Sequence, residues 1–507
     1  MHKKITRFGY IINKKVLDEE KLSSLKKELT VTPFKMQSFA KFSKDDSFPV
    51  YMENGDYIGI PKYFGLERFG EPDINKLEKY EFPLQEMNYI GVLRPKQEII
   101  VNKVIDGFRE KRGGLLIAGC GSGKTNMAIW IACHLKLKTL FVVHKNFLKN
   151  QVINRIRSTT DVEEIGEIQG KKVKVDCPFV IGMIQTLSKK NPSFSDEIFK
   201  DFGLIIIDEV HHMGAKNFSR FYQRASAKYM LGISAERSRN DGMYKIINWY
   251  MGPILHQEEQ QPNDMVVVKR FHFKTSNEAR IETIINRFTK EPDRSTMITN
   301  LVFIKKRNRF ILNLILELYD QGKNILFLTG RLSQVNILFK LLKKNPYTRN
   351  AVGKYLGGMN EGELAESATK QIILGTYEMA QEGLDIENLN VVILGTPKSS
   401  IKQSVGRILR KEIYEEHPIV IDIIDDNEIY RKQGKIRAEY YRKQKYNFQD
   451  FHITDTELPK KSSVKYYMYD DNEYLSEALT KIPEKTQKKE EKKISVDEFE
   501  DIDFLSD

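Results

Sequence analysis

From about Leu93 to Pro253, short aliphatic runs alternate with longer stretches whose apolar residues recur at helical spacing. Compact apolar runs bounded by polar residues are the pattern of strands covered on both faces of a parallel sheet. Residues 115–118, 139–143, 179–183, 204–207 and 229–234 are predicted strands on this basis. The pattern breaks in the polar stretch 257–264 and resumes with apolar runs at 325–328, 372–376, 391–394 and 419–424. Two such series predict an α/β chain with two tandem doubly wound parallel-sheet lobes.

The ends read differently. Residues 1–90 carry a strand-like piece at 57–60 and a turn-rich segment at 61–70, the mark of a small accessory domain. Residues 481–493 are too poor in apolar side chains to form a core and are predicted to be disordered. Residues 496–507 are acidic with interspersed Phe499, Ile502, Phe504 and Leu505. The expected division is 1–90 accessory domain, 91–256 first lobe, 257–300 connection, 301–455 second lobe and 456–507 extension.

Composition narrows the class. A chain of 507 residues is too long for one hydrophobic core. No stretch approaches the roughly 18 consecutive apolar residues of a membrane span, and the basic N-terminus lacks an apolar run with a cleavage site. An intracellular, cytoplasmic protein without a membrane partner is expected. Cys120, Cys133 and Cys177 show no metal-type spacing, and an odd count argues against a disulfide framework. The formal charge of +12 fits a polyanionic partner without establishing one.

The chemistry is carried by a glycine-rich segment, 118–125, between a predicted strand and a predicted helix. Gly119, Gly121 and Gly123 let backbone N–H groups, Ser122 among them, approach phosphate oxygens, and the following helix points its positive end at the same anion. Lys124 is placed to neutralise phosphate charge and Thr125 to ligate Mg²⁺, which makes ATP and Mg²⁺ the expected cofactors. Ala118 stands where this motif usually begins with glycine. Further along, the run 204–207 ends in Asp208, Glu209, Val210, His211 and His212. Asp208 is placed to hold the Mg²⁺ shell and Glu209 to orient or deprotonate the attacking water. His211 and His212 have no second His or Cys pair placed to complete a zinc site.

In the second series, Gln403-Ser404-Val405-Gly406-Arg407-Ile408-Leu409-Arg410 puts two arginines three apart. On a helix they face the same way, and guanidinium groups stabilise charge on a transferring phosphoryl group. Supplied by a separate lobe, they would make hydrolysis depend on lobe closure. Between residues 430 and 448, Arg442, Lys443 and Lys445 are mixed with Tyr440, Tyr441 and Tyr446. This mixture suits single strands, and equally a terminal helix that packs its tyrosines inward.

From residue 82 to 448 the chain resembles the superfamily 2 helicases of the DExH type, with two RecA-like lobes. The resemblance implies that Gln97, in Leu93-Arg94-Pro95-Lys96-Gln97, reads the adenine base. It implies that Gln185 and Thr186 hold a strand's backbone and that Thr376 meets a nucleic-acid phosphate. Gly383 and Asp385 fall on the nucleotide side, and Gln403, Arg407 and Arg410 in the catalytic set. Ser234-Ala235-Glu236-Arg237 stands where the family has Ser-Ala-Thr-Pro, a motif that couples nucleotide state to lobe movement. Residues near both ends are similar to the helicases of large cytoplasmic DNA viruses, including poxvirus transcript-release helicases, and more distantly to phage branch-migration enzymes.

The implied activity is ATP hydrolysis coupled to movement on, or unwinding of, DNA or RNA, in viral transcription. The implied partners are DNA or RNA, bound by a monomer, and an RNA polymerase or another transcription protein. The acidic end 496–507 reads as a solubilising disordered end, or as a segment that docks on such a partner or on the chain's own strand channel. Two readings stay open beside it: a duplex translocase that separates no strands, and a non-catalytic nucleic-acid-binding scaffold with a weakened motor.

Overall fold

The computed structural model describes residues 2–32, 47–119, 121–214, 216–235, 242–258, 265–382, 386, 388–409 and 416–456. It divides into two compact units, Met1–Glu259 and Gln260–Asp507.

The main sheet of the first unit runs in the order Lys172–Lys174, Ile165–Gln169, Phe179–Met183, Thr139–Val143, Leu204–Ile207, Tyr229–Ser234, Gly113–Ile117, Ile254–Gln257. Every pairing is parallel except that of the first two strands. The central strands are buried along their whole length, as both-face coverage requires. The helix Pro95–Lys111 starts with proline in its first turn, where a missing N–H costs nothing.

A second sheet holds the N-terminal strands in the order Met52–Asn54, Tyr57–Ile60, Gly9–Asn13, Lys3–Thr6, Ile74–Asn75. Its core is continuous with that of the main sheet: Ile5, Tyr10 and Phe64 belong to one cluster with Leu115, Ile117 and Ile247. The segment 61–70, expected to be turns, is instead the helix Lys62–Phe69, closed by Gly70 at φ 71°. Gly65 is where the helix lies on Tyr10. A Cβ there would stand 2.3 Å from Tyr10 Cγ.

The sheet of the second unit is parallel throughout, in the order Val352–Tyr355, Ile372–Thr376, Ile325–Thr329, Val391–Leu394, Ile419–Asp425, Val267–Lys274, Asn447–Thr454. The strand Val267–Lys274 falls inside the range expected to be a connection, 257–300, and corrects it. Its sequence reads as half polar because Lys269, Arg270 and His272 interrupt the apolar run. Arg270 is nevertheless buried, with Nη1 3.0 Å from Asp450 Oδ1 on the neighbouring strand. A paired cation thus occupies a position that an unpaired one could not.

Candidate nucleotide site and nucleic-acid surface

Three neighbouring strands of the first unit deliver the candidate nucleotide residues at their carboxyl ends, where ligands of open parallel sheets bind. Gly113–Ile117 runs into the phosphate loop, Tyr229–Ser234 lies beside it, and Leu204–Ile207 ends at Asp208 on the far side. Ala118 N–H donates to the Ser234 carbonyl at 3.0 Å, tying the first two together.

The loop has the backbone its glycines foretell. Gly121 and Gly123 sit at φ 81° and 80°, a region that Cβ-bearing residues rarely enter. At Gly123 a Cβ would also stand 2.2 Å from Gln97 Nε2. Lys124 opens the helix Lys124–Leu135, and its buried ammonium donates to the carbonyls of Ala118 at 3.0 Å and Gly119 at 3.1 Å. The buried hydroxyl of Ser122 has no hydrogen-bond partner. Positive φ, a helix N-terminus, an inward lysine and an unpartnered hydroxyl fit a polyphosphate.

Asp208 is buried and accepts the Glu209 N–H at 2.9 Å. Burial first, and the Glu209 carboxylate second, push its carboxyl up to about 7, against the pull of Lys124. A cation bound there would return it to the charged form, so its chemistry, with Thr125 beside Lys124 in the helix's first turn, fits Mg²⁺. Glu209 is held at φ 45°, a left-handed conformation that costs a non-glycine residue energy and is retained at functional sites.

His211 Nδ1 lies 2.8 Å from Ser234 Oγ and 3.3 Å from Glu209 Oε2. The Glu209 carboxylate, which follows the strand Leu204–Ile207, and the Ser234 hydroxyl, which ends the strand Tyr229–Ser234, therefore face the same imidazole nitrogen. His212 packs against His144, ring centroids 4.7 Å apart. Neither His144 nitrogen is hydrogen-bonded, and burial holds that ring neutral, down to about 3. His144 O accepts from Gln185 Nε2 at 2.6 Å, and Thr186 Oγ1 accepts the Gly170 N–H at 3.0 Å. These two residues thus hold protein backbone.

Gln97 is buried and bridges two segments: Oε1 accepts the Arg94 N–H at 2.9 Å, while Nε2 donates to the Ser122 carbonyl at 2.8 Å. Two further loop partners escaped the sequence reading. Arg94 donates to the carbonyls of Gly121 at 3.1 Å and Ser122 at 2.9 Å. Glu258 Oε2 accepts the Gly119 N–H at 2.9 Å, and its Oε1 lies 2.5 Å from Lys96 Nζ. Burial alone would raise the Glu258 carboxyl, but Lys96 and the Gly119 N–H outweigh it and hold it below the usual carboxylate range. Arg94 was legible as part of the motif around Gln97; Glu258 carried no local signal.

In the second unit, Thr376 ends its strand half-buried at the carboxyl edge. The helix expected to carry Arg407 stops earlier: it spans Lys402–Val405, with Gly406 at its end. Arg407 lies in the turn beyond, its N–H donating to the Ser404 carbonyl at 3.3 Å. A glycine directly before it ends the helix, so Arg407 itself is not carried on a helical face. Gln403 is on the short helix. Ser234 and Ala235 are buried, while Glu236, Gly383, Asp385 and Arg410 lie outside the described residues.

The basic segment forms the helix Glu428–Lys443, which buries Tyr430, Arg437 and Tyr441. Arg437 Nη2 lies 2.8 Å from Asp422 Oδ1, and Tyr441 donates to Asp422 Oδ2 at 3.1 Å. Tyr430, Tyr441 and Tyr446 therefore pack inward, whereas Arg442, Lys443 and Lys445 are exposed.

Comparison with known proteins agrees with this geometry. Residues 90–239 match the family described as "Type III restriction enzyme, res subunit". A protein of Acanthamoeba polyphaga mimivirus that carries the name ATP-dependent RNA helicase L396 is 60% identical over 95% of this chain and 92% of its own. One of Invertebrate iridescent virus 6, carrying the name helicase 161L, is 25% identical over 72% of this chain and 84% of its own. Mss116p, solved with ssRNA and AMP-PNP, shares the fold at a TM-score of 0.51 and 14% identity, covering 72% of this chain and 75% of that one. The chain belongs to the family of viral ATP-dependent helicases, two-lobed proteins that hydrolyse ATP.

Proposed function

We propose that the protein couples ATP hydrolysis at the loop 118–125 to unwinding of an RNA-containing duplex, in the transcription of a large DNA virus. The observation that carries this is the convergence of Lys124, Asp208 and the Ser234–His211 pair at the carboxyl ends of three neighbouring strands. The name of the mimivirus relative favours RNA over DNA as the track.

Backbone N–H groups of the loop and Lys124 bind and orient the polyphosphate. Thr125 and Asp208 would hold Mg²⁺, which when bound neutralises phosphate charge. Glu209 aligns the attacking water and takes its proton, a role supported by its strained backbone next to Asp208. His211 and Ser234 sense the state of that carboxylate. Gln403, Arg407 and Arg410, with Gly383 and Asp385, are proposed to act in ATP hydrolysis. Gln97 recognises the base while bracing the loop under it. Thr376, Gln185, Thr186, Arg442, Lys443 and Lys445 are proposed to guide the strand, and the acidic end 496–507 to dock on a transcription protein. An intact Lys124–Asp208 pair speaks against a scaffold without catalysis.

The reading is tested by ATPase rate with single-stranded RNA, single-stranded DNA, duplex DNA and RNA–DNA hybrid. RNA or hybrid is expected to stimulate most; a rate that none of them raises contradicts the proposal.

A further inference from the structure

The strand Val267–Lys274 leaves the sheet of the second unit at its carboxyl edge, the edge at which Thr376 ends its own strand. Four inter-strand spacings separate the two strands, about 19 Å along that edge. The chain that follows is a braced loop with one aromatic side chain held out in water. Phe288 is 86% exposed, more than any other aromatic among the described residues.

Its exposure is not that of a loose chain. The Asn286 N–H donates to the Glu291 carbonyl at 2.8 Å, and the Lys290 N–H returns to the Asn286 carbonyl at 2.9 Å. Asn286 Oδ1 accepts the N–H groups of Phe288 at 2.9 Å and Thr289 at 3.2 Å. Lys290 takes the left-handed conformation, φ 60°, that closes the turn. Below the tip, Ile285 bridges Pro292, and Ile281 and Ile284 pack on Met297, Leu301 and Tyr430. Asn427, just past the end of the strand Ile419–Asp425, donates to the Ile281 carbonyl at 2.7 Å. The aromatic ring is thus mounted on a rigid base at the sheet's carboxyl edge.

The charges at the tip select the occupant. Among residues 286–290 the charged side chains are Arg287 and Lys290, both basic and both exposed. An exposed aromatic face between two cations is the arrangement that stacks on a nucleobase while its neighbours meet the flanking phosphates. A protein partner would call for a wider apolar surface, and the residue on either side of Phe288 is polar.

We propose that Phe288 is a strand-separating wedge, stacking on the first unpaired base at the junction of single strand and duplex, with Arg287 and Lys290 on the adjoining phosphates. The proposal rests on the helicase reading above and sharpens it, since a motor with such a wedge separates strands and does not merely slide along duplex.

The test uses the full chain and a partial RNA–DNA duplex carrying 2-aminopurine at the junction. Stacking by the wild type is expected to change the probe's fluorescence; Phe288→Ala should abolish that change and slow strand displacement at least tenfold. Polynucleotide-stimulated ATPase should stay within about twofold of wild type, because truncating an exposed side chain disturbs no core. Phe288→Trp should restore both stacking and displacement. A Phe288→Ala protein that displaces strands as fast as wild type, or perturbs the probe equally, overturns the wedge. So does a change in association state with the fluorescence untouched, which would mark a protein contact. A wild type whose ATPase is stimulated but which displaces no strand overturns the wedge and leaves the motor standing. A wild type whose ATPase no polynucleotide raises overturns both.

Discussion

The Glu258 carboxylate accepts the N–H of Gly119 at 2.9 Å, across 139 residues of chain. It fixes the first turn of the phosphate loop from a residue at the very end of the first unit, and Lys96 fixes it in turn. Glu258→Ala should therefore loosen the loop before it affects chemistry. A hydrogen bond to a charged group contributes about 1.5–3 kcal/mol, so the KM for ATP should rise about tenfold or more with kcat changed far less. Glu258→Gln keeps an acceptor for Gly119 and loses the ion pair, and should recover most of the affinity. Equal KM values in the wild type and Glu258→Ala would show that the contact does not position the loop.

Arg407 lies just past a helix end, in a turn led by Gly406. If its guanidinium meets the charge of the transferring phosphoryl group, Arg407→Lys should lower kcat by about a hundredfold or more, since lysine cannot reproduce the planar fork. The KM for ATP should move by less than about threefold, because the interaction strengthens only in the transition state. A raised KM with normal kcat would make Arg407 a ground-state binding residue instead.

Lys62 is buried between the N-terminal sheet and the main sheet, its ammonium donating to the carbonyls of Ala227 at 3.2 Å and Lys228 at 3.1 Å. Burial lowers it from 10.5 to about 7. An unfolded chain keeps that proton up to about 10.5, whereas the folded one releases it near 7. Between those limits the unfolded state binds more protons, so stability climbs as pH rises through the window. Below it the cost of charging a buried amine is constant. The contribution is on the order of 5 kcal/mol over the full window. Urea unfolding of the wild type and Lys62→Met from pH 7 to 10 should show the wild type gaining on the variant; parallel curves would exclude the linkage.

Arg442, Lys443 and Lys445 stand in water at and just past a helix end whose Tyr441 is packed away. Exchanging all three for glutamine should leave the fold intact. If they track a single strand, the slope of log affinity against log salt should become shallower by about 2, at about 0.7 per phosphate contact. An unchanged slope would leave these cations as an ordinary solvated face.

What the sequence disclosed follows from the range of its signals. The strands Thr139–Val143, Phe179–Met183, Leu204–Ile207 and Val391–Leu394 were legible because apolar runs covered on both faces announce themselves locally. The positive φ of Gly121 and Gly123 was legible because the proposed phosphate loop needs particular residues at particular offsets. The strand Val267–Lys274 was not, because Arg270 is neutralised by Asp450, 180 residues away. The helix Lys62–Phe69 was hidden by Gly65, which makes room for Tyr10. Glu258 and the pairing of His144 with His212 are contacts between distant segments, and no short window contains both partners.

We propose that the 118–125 loop and Asp208 drive a motor that nucleic acid switches on. It is tested most directly by the ATPase rate of the wild type and of Lys124→Ala, each with and without saturating single-stranded RNA. RNA should raise the wild-type rate severalfold, and the Lys124→Ala rate should stay near background under both conditions. An RNA-independent wild-type rate, or a Lys124→Ala protein that hydrolyses ATP as the wild type does, would contradict it.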